Sequence, residues 1–434
     1  MRVFNNEPAF VNQAYLNVMK TIFRSYKFRI YPTKTQQELL SHHFGCVRFV
    51  YNHFLDLRNK NYKELNQKTT YFDCATKLTN MKKEDEFSWL KNVNSQSLQQ
   101  SIRHLDVAFV SFFQKRTKFP RFKKKTDKQS FVVPQFFTLD SSLNKLYIPK
   151  FKEGIKINIH EKVKGKLKHV TVSKTSSGKY FASFSCEQEY QQYVPTGSSI
   201  GIDVGIKDLA VLSDGTKYRN VKALKRNLKK LKFKQRQVSK KIKGSSSRKK
   251  AIKQLALVHE KIMNVRRDNL HKVTTEIIKN HDVVCVESLA VIKMMKDHVL
   301  AQALSDSAFG EFFSMLEYKA EWNDKKIIKI DRWYPSSKNC SVCNTINQGL
   351  TLKDRKWTCR SCGTEHDRDI NAARNILEQG LKILSGSGME SDVKQKQVEP
   401  PKKYLLRKPK GLSNKSGAMK PETPLLKQRG CSLV

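Results

Sequence analysis

Four cysteines carry the most specific chemistry in the chain. They stand as Cys340-x2-Cys343-x15-Cys359-x2-Cys362. Two such pairs fit a zinc ribbon, in which each pair forms a knuckle and the four thiolates close a tetrahedron. Trp357 precedes the second knuckle and Gly363 follows it, as a tight hairpin requires. A site with four protein ligands has no open position. One zinc ion here would therefore be structural, and its binding would help fold the segment. The remaining cysteines, Cys46, Cys74, Cys186, Cys285 and Cys431, are scattered. An odd total of nine with four clustered argues for metal over a disulfide framework.

The second set is three separated carboxylates. Asp203 interrupts an apolar run, Ser199–Gly205, that reads as a buried strand, and Leu209–Gly215 reads as its hairpin partner. A buried carboxylate is costly unless a metal or a cation meets it. Glu287 closes the β-branched run Val283–Val286. Asp369 stands just before Ile370–Leu377, a helix, which also makes it an N-cap candidate. Each acid alone has an ordinary alternative: a satisfied core acid, an exposed strand end, a cap. Their order is more informative. An acid on a first strand, one at a later strand end and one opening a helix are what a ribonuclease-H-like sheet needs to converge three carboxylates. Hard oxygen ligands suit two Mg2+ or Mn2+ ions, about 4 Å apart, that activate water and stabilise a leaving oxygen.

Strands and helices must bring these groups together. Arg24–Tyr31 alternates apolar and basic residues as a strand does. Residues 35–62 and 95–116 show helical spacing, with apolar faces fit for a core. Residues 130–196 alternate over four further runs, punctuated by Gly154, Gly165 and Gly178, and predict an antiparallel sheet or small barrel. Arg24–Tyr31 would complete it. The expected organisation is a β-barrel wedge (19–33 and 126–196) carrying an inserted helical unit (34–125). After it come an α/β nuclease-like unit (197–334 and 364–383), a ribbon (335–363) and a disordered basic tail (384–434). Residues 1–18 look unlike the rest and are expected to lie outside the fold, with Met19 as a natural start.

The charge narrows the partners. Lys and Arg number 83 against 39 Asp and Glu, a net charge of +44. Such self-repulsion is hard to reconcile with an enzyme of small substrates and calls for a polyanion. Hydrophobic residues reach 38%, enough for packed cores, so wholesale disorder is excluded. No apolar run of 18 residues spans a membrane, and no signal-peptide pattern opens the chain. Residues 222–253 contain fifteen Lys or Arg and no acid. Their stripe Leu224, Leu228, Leu231, Val238 and Ile242 predicts one arm of a basic helical hairpin spanning 221–280. Ile252, Leu255, Val258, Ile262 and Val265 predict the other arm. Candidate nucleic-acid contacts are Arg121, Lys123, Lys124 and Lys125 in an aromatic-rich basic loop, and Lys225, Arg226, Lys229, Lys230, Arg266 and Arg267 in the hairpin.

Several motifs together make the chain resemble the TnpB family of insertion-sequence nucleases, related to type V CRISPR effectors. They are Y-K-F-R-I-Y-P-T (26–33), F-V-Y-N-H-F (49–54), G-I-D-V-G-I-K-D (201–208) and N-V-R-R-D-N-L-H-K (264–272). V-E-S-L (286–289), L-S-D-S-A-F-G-E-F (304–312), Y-P-S-S-K-N-C (334–340) and H-D-R-D-I-N-A-A-R-N-I (366–376) complete the set. The resemblance covers roughly residues 19–380. It implies a RuvC-like nuclease with an inserted zinc ribbon, behind a wedge with a helical recognition unit. It implies RNA-guided DNA cleavage beside a short adjacent motif, and assigns the acids to Asp203, Glu287 and Asp369. Spacing from N-A-A selects Asp369 over Asp367. Implied partners are a guide RNA from the mobile element, duplex target DNA and an element-encoded transposase, in the nucleoid-associated cytoplasm of a prokaryote. Two competing functions are a strand-transferring transposase, disfavoured because Glu is the middle acid, and a catalytically silent guided DNA binder.

Overall fold

A computed structural model of the chain describes residues 19–296, 300–351 and 353–386. The expected extension 1–18 and the tail beyond residue 386 lie outside these residues. The chain opens with β1 (Met19–Tyr31), longer than the alternation alone indicated. Pro32 and Thr33 end it. Thr33 then caps α1 (Lys34–Leu65): its hydroxyl accepts the Gln36 N–H while the Gln36 side chain accepts the Thr33 N–H. α2 (Tyr71–Met81), a 3-10 segment (Asp85–Asn92) and α3 (Ser95–Phe113) follow.

Six strands come next: β2 (Gln129–Val133), β3 (Thr138–Asp140), β4 (Lys145–Ile148), β5 (Phe151–Asn158), β6 (Lys166–Lys174) and β7 (Tyr180–Gln191). With β1 they make a seven-stranded antiparallel sheet in the order β2-β6-β7-β1-β5-β4-β3. β1 sits at the middle and pairs along its length with β7, so the N-terminal strand does complete this sheet. β2 and β3 remain as two edges that no described ladder joins, so hydrogen bonding does not close the expected barrel. The helices, which lie between β1 and β2 in the chain, pack onto the sheet. Val50, Phe54, Leu98 and Ile102 share one core with Tyr26, Phe28, Val170 and Phe184 of the sheet.

The second part begins with β8 (Ser199–Asp203), β9 (Asp208–Leu212) and β10 (Lys217–Arg219). The hairpin helices α4 (Ala223–Ser239) and α5 (Ser246–Asn280) follow, turning at Gly244 with φ 89°. Next are β11 (Val283–Glu287), α6 (Val291–Met294), α7 (Ala301–Ser307), α8 (Phe309–Trp322) and β12 (Lys326–Ile330). The ribbon hairpin β13 (Lys356–Thr358) and β14 (Glu365–Asp367) leads into α9 (Arg368–Leu384). The five-stranded sheet has the order β10-β9-β8-β11-β12; its first three strands are antiparallel, and β8, β11 and β12 run parallel. That order and those directions fit the ribonuclease-H-like sheet expected from the acids.

Strand alternation divides this sheet between two layers of helix. Ile200, Ile202, Val284 and Val286 pack with Leu270, Ile277, Phe312 and Leu316 of α5 and α8. Cys285 and Ile330 pack with Ile376 of α9 on the other face. Two glycines let α9 lie close. A Cβ on Gly201 would stand 2.0 Å from the Ala373 carbonyl oxygen and 2.7 Å from the Leu377 nitrogen; one on Gly380 would stand 2.3 Å from Cys285 Sγ.

The basic hairpin differs from the predicted stripes at three places. Ile242, Ile252 and Val265 are exposed. α4 ends at Ser239, so Ile242 lies in the connecting turn. The buried positions of the hairpin seam are Ala223, Val238, Ala251, Val258 and Ile262, with Leu224 and Leu231 packed against Ala223, Val258 and Ile262.

Replacing Gly201 with Ala puts a methyl group against backbone that no rotamer change can move. We expect a loss of about 3 kcal/mol or more, read as a lower urea midpoint. An unchanged midpoint would show that α9 does not need the bare backbone beneath it.

Candidate nuclease site and zinc ribbon

Asp203 and Glu287 end neighbouring parallel strands. Val286 pairs with Ile202, one residue before each acid, so the two side chains leave the sheet at one level. Adjacent strands lie about 4.8 Å apart. α9 runs back over the sheet from this end. Ala373 lies on Gly201, which puts Asp369, one turn earlier, beyond the carboxyl ends of β8 and β11. Ligand sites of α/β sheets form at such strand ends.

The cluster is electrostatically strained. Burial, with the charges of Asp369 and Glu287, pushes the Asp203 carboxyl up to about 7, while Arg368 and Arg355 pull the other way. Burial and the charge of Asp331 push Glu287 up to about 7. Among the described residues, the acids do not bring three ligand oxygens within 4.8 Å of one another, whereas the four cysteines do bring their sulfurs that close. The donors themselves, hard carboxylate oxygens short of counter-charge, fit Mg2+ or Mn2+.

Asp331 was not singled out by sequence, although the signal was there. Lys326–Ile330 followed by an acid repeats the pattern of Val283–Glu287, and Ile330 pairs with Glu287 across the ladder. Arg355 was also missed: its Nη1 lies 3.3 Å from Asp369 Oδ1. The N-cap expectation is corrected. Asp367 caps α9, with Oδ1 accepting the N–H of Asp369 at 3.1 Å and of Ile370 at 3.3 Å. Its Oδ2 meets Lys217 Nζ at 2.6 Å. Asp367 is thus occupied twice, and Asp369, in the first turn, has a carboxylate held only by Arg355 among the hydrogen bonds described.

The ribbon has two knuckles built alike. Asn344 N–H donates to the Cys340 carbonyl and Gly363 N–H to that of Cys359, both at 2.9 Å; Cys340 N–H meets the Thr345 carbonyl and Cys359 N–H that of Thr364. Asn344 and Gly363 both have positive φ, 60° and 71°, where each turn must reverse. Cys340 and Cys362 sulfurs lie 3.7 Å apart, Cys343 and Cys359 sulfurs 3.5 Å. Ligands of a tetrahedral zinc with 2.3 Å bonds stand about 3.8 Å apart, so the cluster fits the ion. The hydroxyls of Thr345 and Thr364 lie 3.4 and 3.2 Å from the Cys343 and Cys362 sulfurs. These hydrogen bonds hold both thiols below their ordinary value, Cys343 at about 6, which suits thiolate ligands. His366, buried against Trp357, places Nε2 3.1 Å from Cys340 Sγ.

Two buried asparagines dock the ribbon on α9. Asn371 Nδ2 donates to the Asn339 carbonyl at 2.7 Å, and its Oδ1 accepts the Ser341 N–H at 3.0 Å. Asn375 Nδ2 donates to the carbonyls of Ser336 and Asn339, each at 2.7 Å. The first knuckle and Asp369 are thereby fixed to one helix.

The candidate nucleic-acid residues divide. Arg121, Lys124, Lys125, Lys225, Arg226, Lys229 and Lys230 are exposed. Lys123 is turned inward, its Nζ 3.8 Å from the Tyr51 ring centre and its backbone held by Asn52. Arg266 donates to the Ser305 carbonyl, and Arg267 Nε meets Glu311 at 2.5 Å. These two arginines tie α5 to the following helices. Asp306, buried, accepts the N–H groups of Leu224 and Lys225 and so caps α4 from outside the hairpin.

The family OrfB_IS605, described as "Probable transposase", matches residues 183–298, and "Cas12f1-like, TNB domain" matches 309–376. A "Helix-turn-helix domain" matches 19–68, where the structure has a strand and one long helix instead. The chain is 41% identical over 368 residues to a "Putative RNA-guided DNA endonuclease" of Streptomyces pristinaespiralis, covering 84% of this chain and 91% of that protein. It is 34% identical to InsQ of Escherichia coli (strain K12), which carries the same description, over 87% of this chain and 97% of that one. CRISPR-associated endodeoxyribonuclease Cas12f1 of Sulfoacidibacillus thermotolerans is 32% identical over 150 residues, 33% of this chain and 34% of that protein. The class is therefore that of mobile-element proteins described as RNA-guided DNA endonucleases. The chain belongs to that class as a member of the TnpB family.

An acid raised on folding makes the metal-free protein lose stability as pH climbs from its unfolded value through its folded one. Asp203→Asn removes that loss. In EDTA, the Tm advantage of D203N over wild type should widen between pH 4 and 7, then level off. At about 2–4 °C per kcal/mol, several degrees are expected by pH 8. A difference independent of pH would contradict the strained cluster.

Proposed function

We infer that the protein is an RNA-guided DNA endonuclease. The observation that carries this is near-full-length identity with relatives so described, joined to a sheet end where Asp203, Glu287 and Asp369 converge. In this proposal the three carboxylates hold two Mg2+ or Mn2+ ions. Bound there, such ions would supply an activated water and charge stabilisation for phosphodiester hydrolysis. Asp203 and Glu287 present oxygens from rigid strands, and Asp369 presents its own from the helix docked on them. Asp331 adds negative potential beside Glu287, which would draw a divalent cation as it draws a proton. Arg355, paired with Asp369 at 3.3 Å, is free to turn to a phosphate once a cation takes its place.

A single structural zinc in the four-cysteine cluster would hold the ribbon, and through Asn371 and Asn375 the start of α9. The exposed cations of α4 and of the basic loop would follow the backbones of guide RNA and target duplex. Base pairing with the guide, not side chains, would supply most sequence specificity, with a short adjacent motif read by the protein.

The test is to purify the full chain after coexpression with its flanking DNA, sequence the bound RNA and assay duplex cleavage. A discrete RNA and Mg2+-dependent cleavage at a matching target are expected. Asp203→Ala should reduce cleavage to background and leave RNA binding unchanged. Cleavage surviving that change would sink the catalytic assignment, and cleavage without any discrete RNA would remove the guided mechanism.

A further inference from the structure

We propose that Trp333 is a stacking platform for an unpaired nucleobase of the strand that enters the acid cluster. The proposal rests on the nuclease reading and adds to it a binding group for the substrate. Trp333 is 83% exposed, whereas Trp357 is buried and Trp89 and Trp322 are half-buried. Its exposure leaves a large amphipathic ring available to a partner.

Its position is specific. β12 ends at Ile330, which pairs with Glu287, and Trp333 follows three residues later. The turn is built to hold it outward. Asp331 Oδ1 accepts the Trp333 N–H at 2.6 Å, and Ser336 N–H donates to the Tyr334 carbonyl at 2.8 Å. Tyr334, the next side chain, packs inward with Cys285, Ile330 and Ile376. The ring beside it is left with a free face. The Arg332 guanidinium stands 5.8 Å from the Trp333 ring centre, a cation suited to the phosphate of a stacked nucleotide.

The chemistry selects the ligand. An indole face binds any base, but only a base whose own face is free. Bases inside a duplex are already stacked, so the platform would take a single strand and hold its backbone near Asp203, Glu287 and Asp369. Stacking would act on capture of the strand, not on cleavage of the bond.

The test uses full-length D203A protein loaded with guide RNA, and acrylamide quenching of tryptophan fluorescence. Adding a ten-nucleotide oligothymidine should shield the most accessible fluorescence, and W333F in the same background should abolish the change. A relaxed, covalently closed circular duplex, which has no end bases, should produce none. Separately, with active protein, W333A should raise the apparent KM for a single-stranded substrate roughly tenfold at little change in kcat, with W333F recovering much of the loss. Shielding by guide RNA alone, equal shielding by duplex, or an unchanged KM would overturn the proposal. Loss of all cleavage in the wild-type complex would instead sink the nuclease reading, and the quenching result would still decide the platform.

Discussion

The acid cluster depends on one contact of backbone against backbone. α9 can approach β8 only because residue 201 has no side chain; the Ala373 carbonyl occupies the space a Cβ would need. Gly380 repeats the device from the helix side against Cys285. Fixed at two points nearly two turns apart, the helix has little freedom to slide or rotate. Its first turn must then overhang the carboxyl ends of β8 and β11, where Asp203 and Glu287 emerge. Three acids that are far apart in sequence share one place because of these two absent side chains.

That convergence is costly by design. Burial, with the charges of Asp369 and Glu287, raises the cost of charging Asp203, and burial with the charge of Asp331 does the same at Glu287. Cations at the rim, Arg355 and Arg368, offset part of the repulsion without removing it. The ribbon contributes both to position and to charge. Asn371 and Asn375 bind its first knuckle to α9, and Arg355 comes from the stretch before its second. The first knuckle and Asp369 are joined through that helix.

Much of this was legible from sequence, and the gaps have physical causes. The four-cysteine cluster could be read because metal ligation demands fixed residue types at fixed spacing. The strands around Asp203 and Glu287 could be read because β-branched runs announce themselves. Asp331 shows the same run-then-acid signal and was passed over, since a single sequence does not say which strands are neighbours. Pairing of β11 with β12 supplies that fact. The cap of α9 was misplaced by two residues because Asp367 and Asp369 suit an N-terminus equally by type; only the hydrogen bonds distinguish them. Arg266 and Arg267 read as nucleic-acid contacts from charge, yet they meet Ser305 and Glu311, partners that only the fold brings near. The missing closure of the first sheet is likewise a matter of edges, to which alternation is blind.

In the proposed mechanism Asp203, Glu287 and Asp369 form one divalent-metal site. The most direct measurement is an anomalous difference map from crystals of the full chain grown with guide RNA and Mn2+. The account predicts manganese density bounded by these three carboxylates, with Arg355 turned away from Asp369. Manganese absent from that position, with Arg355 still paired to Asp369 at saturating ion, would contradict it.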